Sequence, residues 1–334
     1  MSRNITNIKT LVLVSILLAI IVVSLGAYTR LTHAGLGCPD WPGCYGFHDV
    51  PHTSEEILKA EAAFPDRPVE PEKAWNEMIH RYFAGALGLL ILLITFLSIK
   101  NREVGSPVFL PILILCVVTF QAALGMWTVT MKLMPIVVMA HLLGGLTTLC
   151  LLFLLYLRIK RFHVREGNTS LRRMAKFGLL GIVLLTGQIA LGGWTSSNYA
   201  ALTCTELPIC QAGWQEQLTF EDSFDLIPPE LETYEYGHLS HASRITIHVM
   251  HRFGAIVVSL YLLWLSFSVM SKASSSFFQQ TSLVLATVLV CQIGLGISNV
   301  WFSLPLGVAV AHNVVAACLM LTLILLTYGL QRKI

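Results

Sequence analysis

Four histidines of this chain, His80, His141, His251 and His312, sit inside apolar stretches and repeat one another in pairs, His80 to His141 having the same separation as His251 to His312. An ionisable side chain at membrane depth is costly, so it normally faces a cofactor, a cavity or a partner. Glu77 lies three residues before His80, at the mouth of the same apolar stretch. Three residues is close to one helical turn, so the carboxylate and the imidazole share a helix face. Counting from helix starts near Ala74 and Pro135, His80 and His141 each lie about six residues in, or roughly 9 Å at 1.5 Å per residue. Two imidazoles at one level, on facing helices, suit the two axial positions of a haem iron. Zinc is disfavoured, because neither half supplies an equally placed third ligand. The competing reading of any one of these histidines is a packing or hydrogen-bonding residue; duplication of all four argues against it.

The elements that must position them are membrane helices. The 334 residues are 55% hydrophobic and only 12% charged, with a mean hydropathy of +0.69, a balance that excludes an ordinary soluble domain. Apolar runs able to cross a bilayer, about 20 residues each, begin near Leu11, Ile79, Val108, Ile136, Phe177, Ile247, Leu283 and Leu306. The expected fold is an all-α integral membrane protein with eight transmembrane helices. The first run could be taken for a signal peptide, since Arg3 and Lys9 precede it; the repeat argues that it is retained.

That repeat covers most of the chain. Gly26-Ala-Tyr-Thr and Leu36-Gly-Cys38-Pro-Asp-Trp-Pro-Gly-Cys44 return as Gly192-Gly-Trp-Thr and Leu202-Thr-Cys204-Thr-Glu-Leu-Pro-Ile-Cys210. His80-Arg81 returns as His251-Arg252, Gln121 with Leu124-Gly125 as Gln292 with Leu295-Gly296, and Ala140-His141 as Ala311-His312. The expected organisation is two tandem pseudo-symmetric four-helix bundles, residues 1–160 and 177–334, joined by a linker over 161–176. An even number of helices per half makes the repeat parallel, as in some transporters. Basic residues, including Arg102, Arg158, Arg161, Arg165, Arg173, Lys272, Arg332 and Lys333, collect on one side, and the two long acidic loops on the other. By the positive-inside rule both termini are cytoplasmic and both long loops external. The net charge of +3 is what remains of this asymmetry and gives no indication of nucleic acid. In the first loop, Thr53 to Phe64 reads as a short capped helix lying on the membrane or lidding the first half.

The halves differ where chemistry is expected. Opposite Glu77 the second half carries His248, a second imidazole in its cofactor's surroundings. A carboxylate can exchange protons with a reacting group, so the first half reads as catalytic and the second as an electron carrier. The alternative for Glu77 is an ordinary first-turn acid favoured by the helix dipole. Arg81 and Arg252, beside the histidines, are placed to pair with cofactor propionates, or simply to snorkel. Cys38, Cys44, Cys204 and Cys210 lie in the external loops, where disulfides persist; duplication favours Cys38 with Cys44 and Cys204 with Cys210 among the three pairings. Cys116, Cys150, Cys291 and Cys318 read as buried small apolar residues.

With two four-helix halves, Glu77-x-x-His80-Arg81, His141, His251-Arg252, His312 and paired external cysteines, the chain resembles the haem A synthase family over nearly its whole length, in its bacterial cysteine-containing type. The resemblance implies oxidation of a ring methyl of haem O to a formyl group, giving haem A for cytochrome oxidase. It implies substrate haem O between His80 and His141, a resident haem b whose iron is bound by His251 and His312, and Glu77 as catalytic carboxylate. It further implies a bacterial inner-membrane location, a haem O synthase as supplier, and an electron-transfer partner such as a quinone; a homo-oligomer is compatible with it. Two readings compete: a non-enzymatic two-haem transmembrane b-type cytochrome, and a parallel-repeat transporter, which would be colourless.

Overall fold

A computed structural model describes residues 3–164 and 169–331; Arg165, Arg332 and Lys333 lie outside the described residues. Among the described residues, eight helices are long and apolar enough to cross a membrane: α1 (Arg3–Leu31), α3 (Pro71–Lys100), α4 (Phe109–Thr130), α5 (Pro135–Ile159), α6 (Thr169–Ser197), α7 (His241–Lys272), α8 (Ser276–Trp301) and α9 (Leu306–Gln331). The short α2 (Ser54–Ala63) lies in the loop between α1 and α3. No strand is present among the described residues. Leu89, Phe96, Phe109, Val183, Leu260 and Phe267 are each 60% or more exposed. In water such a surface would associate; on helices of this length it is the face turned to lipid.

Local chemistry sets the helix ends. Pro71 opens α3, where a missing N–H costs nothing, and Ser240 caps α7 by accepting from the Ser243 amide. At α2, the Thr53 hydroxyl accepts from the Glu56 amide while the Glu56 carboxylate accepts from the Thr53 amide, a reciprocal capping box. The His52 amide also donates to Glu56, and these backbone bonds, Thr53 first, hold the Glu56 carboxyl down at about 2.

The chain divides into two compact units, one of Met1–Leu152 with Leu226–His238, the other of Phe153–Asp225 with Leu239–Ile334. In the first, α1 packs on α3 and α3 on α4; in the second, α6 packs on α7 and α9, and α8 on α7 and α9. The segment Leu226–His238 is drawn from the loop between α6 and α7, yet it completes the first unit as a strap. Arg67 pairs with Glu235 at 2.9 Å, and the Tyr234 amide donates to the Lys132 carbonyl. A cavity of about 200 Å³ beneath the strap is lined by His33, Tyr45, Arg67, Lys73, Glu235 and Tyr236, among others.

Two expectations need correction. The four cysteines of the spans are not buried in protein: Cys116 and Cys291 are exposed and Cys150 and Cys318 partly so, because thiols are apolar enough to face lipid. And α3 begins at Pro71, three residues earlier than the hydropathy suggests, because Pro71-Glu-Lys already takes helical form before the apolar run. Counting from helix starts therefore does not put His80 and His141 at equal depth; their meeting is set by how the helices pack.

Candidate functional site

The site is built in matched layers in each unit. On the loop following α1, Cys38 and Cys44 form a disulfide, and in the second unit Cys204 and Cys210 do the same. The first bridge is fully buried with Tyr45, Val50, Ala60 of α2, Ala74 and Met78, so α2 lids this loop. The second packs on Ile245 and Val249 of α7. Gly37 allows the first loop to lie on the start of α3: a Cβ there would come within 2.5 Å of the Lys73 carbonyl. Tyr45 donates to the Pro68 carbonyl at 3.0 Å, and burial, with Glu70 adding to it, pushes its phenol up to about 12.

An arginine one residue beyond the first histidine of each unit holds that loop. Arg81 Nη1 donates to the carbonyls of Asp40, Pro42 and Gly43. Arg252 Nη1 donates to the carbonyls of Glu206, Pro208 and Ile209. The remaining guanidinium nitrogen differs. Arg81 Nη2 pairs with Glu77 Oε1, whereas Arg252 Nη2 donates to the Cys204 carbonyl at 2.6 Å. Glu77 Oε2 also accepts the Cys38 amide at 3.0 Å, and His248 Nδ1 takes the Cys204 amide at 3.4 Å. Glu77 and His248 thus share one architectural task, receiving the first cysteine's N–H. Glu77 is the one buried acidic side chain among the described residues.

Below this layer lie the four histidines. The rings of His80 on α3 and His141 on α5 have centroids 6.3 Å apart and planes at 81°. In the second unit His251 on α7 and His312 on α9 occupy the matching places in the repeat. Each ring rests on a glycine of a neighbouring helix, Gly26, Gly125, Gly192 or Gly296, where a Cβ would stand 2.9 to 3.2 Å from the histidine's Cε1.

Sequence reasoning missed the groups that hold the rings. Gln121 Nε2 lies 2.9 Å from His141 Nδ1 and donates to the His141 carbonyl at 2.6 Å. Gln188 Nε2 makes the same two contacts with His251, at 3.0 and 2.9 Å. Gln292 Nε2 meets His312 at 3.2 Å. The signal was present: Gln-x-x-Leu-Gly occurs at Gln121, Gln188 and Gln292, one turn before each supporting glycine. The fourth copy, next to His80, reads Val22-Val-Ser-Leu-Gly26.

Fold and site together define a multi-pass helical membrane protein with duplicated histidine pairs beneath disulfide-closed loops. Known proteins share this plan. A family described as cytochrome oxidase assembly protein (COX15-CtaA) matches residues 9–324, and the chain belongs to that family. It is 50% identical over 320 residues to "Heme A synthase" of Shewanella oneidensis, covering 96% of each chain. It is also 26% identical to "Heme A synthase" of Chelativorans sp., over 88% of this chain and 83% of that one.

Proposed function

We propose that the chain is a bacterial membrane enzyme of haem A biosynthesis, oxidising a ring methyl of haem O to a formyl group. The observation that carries this is the spacing of His80 and His141. Two metal–imidazole bonds of about 2 Å each, plus roughly 1 Å from each nitrogen to its ring centre, span about 6 Å, and the two rings stand 6.3 Å apart. Two imidazoles would each supply one nitrogen to a haem iron whatever the angle between their planes, here 81°. The donor set fits as well, two imidazoles with the other ligands left to a porphyrin.

On this reading His80 and His141 hold substrate haem O in an N-terminal half, residues 1–160, and His251 and His312 hold haem b in a C-terminal half, residues 177–334, with 161–176 as linker. The second-half haem, when bound, supplies one-electron transfer. With water as oxygen source, converting the methyl to a formyl group would remove four electrons, which would pass to the electron-transfer partner, and release four protons. Glu77, one turn from His80 on α3, is the carboxylate placed to accept a proton, and Arg81 holds it in orientation. His248 fills the equivalent place in the half where no such proton transfer is required. Arg81 and Arg252 fasten the loops over the two pairs and would be the cations to pair with haem propionates. The cysteine bridges close the loops that carry these contacts.

Basic residues around Arg102, Arg158 and Lys272 support an inner-membrane orientation with cytoplasmic termini and external long loops. Haem O synthase as supplier, a quinone as electron partner and a homo-oligomeric state belong to the same proposal. Pigment extraction tests it: purified from cells producing haem O, the chain should yield haem A. Haem B with unconverted haem O alone would overturn the enzyme in favour of a cytochrome, and a colourless protein would favour a transporter.

A further inference from the structure

The four histidines are not held alike, and the differences follow a pattern. The ring nitrogens of His141 and His251 are met by glutamines that also bond those histidines' own carbonyls, which fixes side chain to backbone. Each of these amides lies over a glycine one turn after the histidine. A Cβ on Gly144 would stand 2.1 Å from Gln121 Oε1, and one on Gly254 would stand 2.3 Å from Gln188 Oε1. Val315 occupies the equivalent place after His312, and Gln292 there makes a single contact with the ring. Next to His80 both parts are replaced, glutamine by Val22 and glycine by Phe83. Near the Val22 backbone, His80 Nδ1 is buried without a hydrogen-bond partner, as is Nδ1 of His312, but His80 lacks the amide contact to its ring that Gln292 gives His312.

We infer that His80 is the exchangeable ligand of the substrate haem, with Gln121 a positioning residue that keeps His141 in place. This rests on the haem reading above and deepens it. A ring without an amide partner turns about its side-chain bonds at the cost of packing alone, while the His141 ring must also break its hydrogen bond with Gln121 Nε2. Two axial imidazoles leave no open position on iron, so one has to let go for anything else to reach it. His80 letting go opens the face on its own side. That side is where α3 also carries Glu77, one turn away, so the opened face and the proton acceptor coincide.

The experiment uses the full chain loaded with haem O, with cyanide binding to the ferric form followed by absorption. Wild type should show two phases, a fast one from the first-half haem and one from the second, the latter assigned by its loss in His251→Ala. Val22→Gln with Phe83→Gly, which transplants the Gln188 and Gly254 arrangement, should slow the fast phase roughly three- to tenfold, the effect of one hydrogen bond to the ring. Gln121→Val should accelerate the first-half phase while haem stays bound. An unchanged fast phase in the folded double variant overturns the inference. Should that variant fail to fold, Gln121→Val decides alone, and no acceleration overturns it. His80→Ala separates this from the underlying reading: loss of one six-coordinate haem spectrum supports histidine ligation, and an unaltered spectrum sinks the ligation itself.

Discussion

The caps over the two histidine pairs solve one problem with different residues. Each is a disulfide-closed loop whose carbonyls are gathered by an arginine, Arg81 or Arg252, and whose first cysteine donates its N–H to a side chain one turn before the histidine. In the second unit that acceptor is His248, and the spare arginine nitrogen goes to a backbone carbonyl. A neutral imidazole therefore suffices to build this fold. Glu77 does the same work, but at the expense of burying a carboxylate, which needs Arg81 to offset its desolvation. The second cap shows that architecture alone does not require an acid there, so the acid in the first points to chemistry.

The comparison breaks most visibly at the ligands. His141→Ala and His251→Ala should each abolish one haem and leave the other, read as selective loss of haem O and haem A or of haem B from the extracted pigment. Loss of both from either variant would mean that the pairs are not independent sites. Next in size, Glu77→His copies the second cap into the first. The loop should stay folded and haem bound, while haem A formation falls by about 10² to 10⁴, the usual contribution of a general acid or base. Near-normal haem A output would reduce Glu77 to a loop acceptor.

Smaller effects sharpen the picture. Arg81→Ala strands a buried carboxylate and should cost about 3 kcal/mol; Arg252→Ala removes bonds to carbonyls only and should cost about 2 kcal/mol. Thermal unfolding in detergent should rank them in that order. Glu235→Ala should change global stability by under about 1 kcal/mol, as partly exposed ion pairs do, yet raise hydrogen exchange across 226–238. The smallest effect concerns α2. Because the Glu56 carboxyl falls to about 2 from 4.5 on folding, its support for the cap is complete above about pH 4.5 and is lost as pH falls through about 2. Hydrogen exchange in α2 should rise over that window in the wild type and not in Glu56→Gln.

Much of this was legible because membranes restrict what a chain can do. Eight spans follow from apolar length, α2 from Thr53 and Glu56, and both disulfides from duplication. The histidine pairs also follow from duplication, which equally explains what was overlooked. Comparing one half with the other finds only residues that both keep, so Gln188, opposite Val22, escapes it. The shorter motif Gln-x-x-Leu-Gly would have found it, since it repeats between helices within a half as well. The strap was illegible for a different reason: Arg67 and Glu235 are far apart in sequence, and a single ion pair carries no periodicity.

The strap also bears on the order in which the protein is made. Glu235 is synthesised only after α6, so the first unit stays unfinished until part of the second repeat has been made. Cutting the chain between α5 and α6 and producing only the N-terminal piece would leave Arg67 and the Lys132 carbonyl without their partners. Duplication made two similar halves, but they are no longer separable products: the first borrows its last piece from the loop of the second.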